Sequence, residues 1–250
     1  MAEHEHRWAP IGLYNADGTL SCPCLEGDCG AEVVIDQIGG RRYLESGFDT
    51  LGFDIDDDPN GGVSKIICRE VELFYSGPDL DLREGEVVVD VGAHVGIVSI
   101  YLADEFPGIR AIALEPVPAN YARLVRNLVM NEVQGVVPLN LAMTSDGRDV
   151  VLRGNLAQNS GGASIYAQSA FVAMARSITF ERLLETFEIE RVALLKIDCE
   201  GAEHEILTSD VLAKVDRIRG EFHRVGEHDP RALLERVKRV VPDTWVEVCG

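Results

Sequence analysis

The chain has 250 residues, 46% of them apolar, and a net charge of −19. That size suits one large domain, or one domain with an appendage, with enough apolar residues for a full core. The acidity argues against a nucleic-acid partner, which needs a basic stripe, and the apolar runs fall far short of the roughly 20 residues that span a bilayer.

The first 80 residues differ from the rest. The charged start, Met1-Ala-Glu-His-Glu-His, has no apolar core of a signal peptide, so a cytoplasmic protein is expected. Three of the six cysteines cluster at Cys22, Cys24 and Cys29. A metal reading with His4 or His6 as fourth ligand lacks a second Cys-x-x-Cys knuckle, and reduced, unliganded thiols are the expected state. Short strand-like runs stand at Glu32–Ile35 and Lys65–Tyr75. Between them, Asp54, Asp56 and Asp58 alternate as in a calcium loop, but Pro59 and Lys65 replace the turn glycine and the bidentate glutamate. A solvated turn is the reading there. Residues 1–80 are thus expected to form an appendage, acting as an acceptor-side cap or a dimer contact, ahead of a domain over 81–250.

From Leu82 onward, strand and helix alternate. Strands are expected at Val87–Val91, Ala111–Leu114, Gly135–Leu141, Val192–Ile197, Val215–Phe222 and Trp245–Val248. Helices are expected over Gly96–Asp104, Pro118–Asn131, Thr179–Phe187, Ala202–Val211 and from Asp229 onward. Tyr121, Leu124, Val125, Leu128 and Val129 share one helical face, and Thr179 is a cap. A glycine-rich excursion carries Val150–Leu152 and the loop Asn159–Ser164. Short buried strands alternating with helices imply an α/β fold, a Rossmann-like, doubly wound, mostly parallel sheet. Ligands of such sheets lie at the carboxyl ends of the strands.

Those ends carry the chemistry. Val89-Asp-Val-Gly-Ala-His-Val-Gly96 runs from a buried strand through a glycine turn into a helix, and the next strand ends in Glu115. Glycines admit backbone to a nucleoside ligand, and an acid at the next strand tip accepts ribose hydroxyls. The Asp-x-Gly-x-x-x-Gly spacing favours S-adenosylmethionine over a dinucleotide. Candidate cofactor residues are Asp90, Gly92, Ala93, His94, Gly96, Glu115, Pro116, Asn140, Ala142 and Asp198. His94 reads about equally as pocket lining and as a half-exposed loop residue, with the latter slightly favoured. Asn140 reads equally as a turn residue.

A second cluster, Leu195-Lys-Ile-Asp-Cys-Glu-Gly-Ala-Glu203, crowds acids at one strand end. Repulsion on that scale usually serves a ligand, a metal or a proton transfer. At the next strand, Glu221 and His223 share one side. The candidate catalytic residues are Asp198 and His223 as alternative bases, with Glu200 and Glu221 positioning an acceptor. Asp198, Glu200, Glu221 and His223 also form an oxygen-rich set for a divalent metal, a reading not favoured.

The first motif resembles motif I of class I methyltransferases. The second resembles the Lys-Ile-Asp-x-Glu-Gly-Ala-Glu signature of the FkbM family, whose Glu-x-His matches Glu221-Phe-His223. The loop Asn159–Ser164 resembles its serine-rich segment. The resemblance spans residues 84 to 225 and departs at His94, where the family usually has asparagine. It implies methyl transfer from S-adenosylmethionine to a hydroxyl of a sugar, polyketide or other natural product. It also implies that Asp90, Gly92 and Gly96 line the cofactor loop, that Glu115 binds the ribose, and that Asp198, Glu200 and Glu203 stand near the reacting centre. N-methyl transfer, a nucleotide-binding oxidoreductase, aminopropyl transfer and a non-catalytic partner are the competing readings. The expected partner is a small hydroxyl acceptor, with neither nucleic acid nor membrane, in a chain that could pair as a homodimer.

Overall fold

The computed structural model describes residues 51–57, 63–75, 80–155 and 159–249, and before them the strands β1 (Leu13–Tyr14), β2 (Leu20–Pro23) and β3 (Glu32–Ile35). Contacts divide the chain into two units, Met1–Arg42 and Tyr43–Gly250. In the first, β1, β2 and β3 form an antiparallel sheet in chain order. The strand expected at Glu32–Ile35 is β3. Cys24, Cys29, His4 and His6 lie outside the described residues, as does the end of the acidic loop.

The second unit holds the expected doubly wound sheet. Its strands are β4 (Val87–Val91), β5 (Arg110–Leu114), β6 (Val136–Leu139), β11 (Leu194–Ile197), β12 (Ile218–His223) and β13 (Thr244–Cys249). They lie in the order β13-β12-β11-β4-β5-β6, every neighbouring pair parallel. The central strands β4 and β11 are buried at every position. Covering helices therefore leave no solvent face, which is why these strands read as continuous apolar runs. The chain reverses direction across the sheet between β4 and β11, so the crevice at their carboxyl ends is the switch point where such folds bind ligands.

The helices follow their sequence signals. Helix α2 (Ile97–Glu105) is apolar on most sides and packs in the core, whereas α3 (Pro118–Met130) is amphipathic and opens on a proline. Thr179 caps α4 (Phe180–Thr186), accepting from Arg182 N–H, and Asp229 caps α7 (Pro230–Lys238). The single helix expected over Ala202–Val211 is two, α5 (Glu203–Ile206) and α6 (Ser209–Leu212). Thr208 breaks it by accepting from Val211 N–H, starting a new helix. In the excursion, β7 (Ala142–Met143) pairs with β10 (Ser177–Ile178), and β8 (Val150–Arg153) forms an antiparallel pair with β9 (Phe171–Ala175). No described helix is long and apolar enough to cross a membrane.

Two expectations fail before residue 80. The run Lys65–Tyr75 is no strand: α1 (Val63–Glu70) leads into a π-helical turn over Val71–Tyr75. Its buried positions, Cys68, Val71 and Tyr75, recur at helical rather than alternating spacing. These residues join the core of the second unit, with Ile55, so the contact boundary falls after Arg42 and not near residue 80. Nor are residues 54–57 a solvated turn. Two asparagines one turn apart, Asn127 on α3 and Asn131 at its C-cap, read their backbone as a neighbouring strand would. Asn131 accepts from Asp54 N–H (2.8 Å) and donates to Asp54 C=O (2.7 Å). Asn127 accepts from Asp56 N–H (2.7 Å) and donates to Asp56 C=O (3.1 Å) and to Val95 C=O (2.8 Å). The Asp56 carboxylate pairs with Arg126.

Asn127 is fully buried, so its loss leaves backbone groups unpaired away from water. Asn127→Ala is expected to cost about 2–4 kcal/mol in chemical denaturation. Asn131→Ala, nearer the surface, is expected to cost about 1 kcal/mol or less. Equal costs would contradict the difference in burial.

Candidate active site

At the switch point the two sequence motifs touch. Gly92 has φ 82°, and a Cβ there would stand 1.8 Å from the Asp198 carbonyl oxygen. Only glycine allows the loop after β4 to lie against the turn after β11. Lys196 locks the pair from below. It is 6% exposed, its ammonium donates to Gly92 C=O, and it stands 3.2 Å from Asp90 Oδ1 and 4.0 Å from Asp198 Oδ2. Burial alone would strip its proton, but the Asp90 and Asp198 charges hold it well above the ordinary lysine value. A lysine inside an all-buried strand is a signal that sequence reasoning passed over.

Three cofactor candidates stand outside the cavity lining in this geometry. Asp90 does not line the cavity; it is fully buried and accepts from Ser99 Oγ (2.6 Å) while facing Lys196. Gly96, at φ 92°, also lies outside the cavity lining: a Cβ there would come 2.3 Å from Leu124 Cδ1, so it serves helix packing. Asn140 donates to Glu115 C=O (2.8 Å) and Pro116 C=O (3.3 Å) and clamps the turn instead of facing the cavity.

The remaining candidates meet around one cavity of about 500 Å³, a volume suited to a cofactor. Gly92, Ala93, His94, Glu115, Pro116, Ala142 and Asp198 all line it. Glu115 is held by two backbone donors, His94 N–H (2.9 Å) on Oε2 and Val117 N–H (2.8 Å) on Oε1. Each oxygen keeps lone pairs for a further donor. Burial pushes its carboxyl up to about 7, against the pull of those two N–H groups. His94 is buried rather than half-exposed. Its Nε2 shares a 2.9 Å hydrogen bond with Ser160 Oγ, and Asn120 Nδ2 holds Ser160 C=O at 2.8 Å. Desolvation lowers the imidazole to about 4, so it is neutral at physiological pH.

On the side of β11 and β12 the cavity is acidic. Asp198, Glu200 and Glu221 line it, joined by Glu70 of α1, which the strand reading of Lys65–Tyr75 concealed. Burial raises Asp198 to about 6 and Glu200 and Glu70 to about 7, with neighbouring carboxylates adding to the rise. His223 lies behind this wall, not in it. Its Nδ1 is 3.1 Å from Glu203 Oε1, and its Nε2 is 3.3 Å from Glu221 Oε2 and 3.8 Å from Glu200 Oε2. Burial opposes its charge, but hydrogen bonds to Glu203 and Glu221 push it up to about 11. With a carboxylate against each ring nitrogen and no face on the cavity, His223 is placed to hold those charges, while Asp198 is the candidate base that lines the cavity. His223 holds Glu221 below the usual carboxylate range, and it overcomes burial to do the same for Glu203.

Potential metal-ligand atoms come within 4.8 Å of one another in two overlapping sets of described residues, Asp198–Glu203–His223 and Glu221–His223–Cys249. Both centre on His223, whose two nitrogens already face carboxylates as donors, and a metal would have to displace that proton.

The directions of these shifts set the sign of a pH effect. Carboxyls raised in the folded state stabilise it at low pH and lose that contribution as pH climbs to about 7. His223, raised, contributes fully below its ordinary 6.5 and loses it only toward about 11. Glu203 and Glu221, lowered, contribute above their ordinary 4.5 and lose it in acid. His94, lowered to about 4, opposes this by losing its penalty as pH rises to 6.5, but it is one group against four carboxyls and His223, so the melting temperature of the ligand-free protein is expected to fall from about pH 5 to pH 8. A rise over that window in a thermal-shift series would contradict these assignments.

Comparison with known proteins bears on the same residues. The Methyltransferase FkbM domain matches residues 90–239. The chain is 28% identical over 218 residues to the methyltransferase sdnD of Sordaria araneosa, covering 73% of this chain and 77% of that protein. It is 36% identical over 80 residues to the 31-O-demethyl-FK506 methyltransferase FkbM of Streptomyces tacrolimicus, 31% of each chain. It is 25% identical over 195 residues to the hexuronic acid methyltransferase AglP of Haloferax volcanii, 72% of this chain and 79% of that protein. The matched domain begins beneath the glycine loop, takes in Glu115, the acid turn and His223, and spans more than half of the sequence: the chain belongs to the FkbM methyltransferase family.

Proposed function

We propose that the protein transfers a methyl group from S-adenosylmethionine to a hydroxyl of a small natural-product or sugar acceptor. The observation that carries this reading is the pairing of Glu115 and Asp198 on one cavity, one on each side of β4, across a glycine loop that no side chain could share. The residues suit the cofactor. Glu115 keeps lone pairs for ribose hydroxyls, Gly92 and Ala93 bring backbone to the cavity wall, and Leu141, Ala142 and Met143 give an apolar bed for a base. Bound there, the cofactor supplies an electrophilic methyl group on a cationic sulfur. The acidic wall suits a cation.

The protein's own part is to align the hydroxyl and take its proton. Asp198 is the base in this reading. With a value near 6 it is mostly ionised at neutral pH, yet basic enough to accept a proton. Glu200 and Glu221 position the acceptor, and His223 keeps Glu221 ionised from behind. The names of two relatives, one acting on a 31-O-demethyl compound and one on a hexuronic acid, agree with an oxygen-bearing acceptor.

Glu115→Ala should weaken S-adenosylmethionine binding by about tenfold or more, or about 1.4 kcal/mol, in calorimetry. An unchanged affinity would refute the ribose assignment. Asp198→Asn should leave binding nearly intact and remove most turnover, while wild-type turnover rises through about pH 6. Retention of full activity by Asp198→Asn would remove it from the mechanism.

A further inference from the structure

Helix α1 lies ahead of Asp90, where the family domain begins, yet it forms one wall of the cavity. Val63, Ile66, Ile67 and Glu70 line the cavity, at the i, i+3, i+4 and i+7 positions of a single helical face. Cys68, on another face, and Val71 just beyond the helix turn into the core. The cavity stripe is therefore aliphatic for its first two turns and ends in one carboxyl.

Two features set this stripe apart from ordinary packing. Ile66 is 58% exposed although it is a large aliphatic residue beside a cavity, so it is not there to fill the core. Glu70 is half-buried and near enough to Glu221 and Asp198 to feel their charges, which groups it with the acids of the cavity. A carboxyl withdrawn from water beside other carboxyls is costly, and it rises to about 7 accordingly. The polar groups suited to the cofactor come from Gly92 onward. The α1 stripe adds apolar surface, and a hydrogen-bonding group beside the base.

We propose that this face of α1 is the acceptor-recognising wall: Val63, Ile66 and Ile67 take the apolar body of a neutral, amphipathic alcohol, and Glu70 accepts a hydrogen bond from one of its hydroxyls. The proposal rests on the methyl-transfer reading of the cavity. Anionic acceptors are disfavoured because Glu70, Asp198, Glu200 and Glu221 all line the cavity, and Lys196, the one cation among the described lining residues, is already paired.

The test uses full-length protein loaded with S-adenosylhomocysteine at pH 8, where these carboxyls are ionised. Saturation-transfer NMR is run with two probes, n-octyl β-D-glucopyranoside below its micelle concentration and octanoate. The glucoside is expected to bind and octanoate not. Ile66→Asp, at an exposed position that folding does not depend on, should cut glucoside binding by about fivefold or more, and Glu70→Ala should weaken it by about threefold or more. Both variants should keep S-adenosylhomocysteine affinity within about threefold in calorimetry. The proposal is overturned if either variant loses about tenfold in that affinity, which would make α1 a cofactor wall. It is equally overturned if octanoate binds as well as the glucoside, if the glucoside does not bind, or if neither variant alters glucoside binding. Failure of the wild-type protein to bind S-adenosylhomocysteine would instead strike the methyl-transfer reading itself, and this proposal with it.

Discussion

Everything in the cavity depends on one buried ammonium. Lys196 sits in the middle of an all-buried strand, where an isolated charge would be expelled or neutralised. It survives because three oxygens surround it, from Asp90, Gly92 and Asp198. Those oxygens come from adjacent parallel strands and from the loops at their tips. Satisfying one cation therefore fixes the register between the cofactor loop and the acid turn. The absent side chain of Gly92 completes the lock, since any Cβ would collide with the Asp198 carbonyl.

A second cation organises the acids. His223 stands among Glu203, Glu221 and Glu200, each within 4 Å. The carboxyls it bonds directly, Glu203 and Glu221, are held ionised. Those further along the cavity, Asp198, Glu200 and Glu70, rise toward neutrality because burial is not offset so closely. The cluster thus separates into charges held by His223, at Glu203 behind the wall and Glu221 on it, and carboxyls raised toward neutrality at Asp198, Glu200 and Glu70. That separation is what proton transfer at neutral pH requires.

Most of this frame was legible in the sequence. The apolar runs gave the six parallel strands, the caps at Thr179 and Asp229 gave helix starts, and the strand-tip rule brought Gly92, Glu115 and Asp198 to one cavity. What escaped had a physical cause in each case. The run Lys65–Tyr75 is rich in β-branched and aromatic residues, so propensity spoke for a strand while packing chose a helix, and Glu70 was lost with it. Asp90, Gly96 and Asn140 occupy motif positions, but sequence does not say whether a side chain faces a ligand or the protein behind it. The place of His223 behind the acids, rather than facing the cavity, needed distances to three carboxylates, only one of which is near it in the chain.

The asparagine ladder of α3 has a consequence for how such an enzyme diversifies. Asn127 and Asn131 grip residues 54 and 56 only through backbone groups, and Asn127 reaches Val95 in the cofactor loop in the same way. A grip on backbone is blind to side-chain identity. Ile55 in the core and Asp56 paired with Arg126 are held by their side chains as well, but the amide contacts themselves survive a change of side chain, so the wall that α1 carries can change without disturbing the cofactor loop held by the same amide. The ladder behaves as a standard fitting: the sheet side is fixed, and what plugs into it is open to replacement.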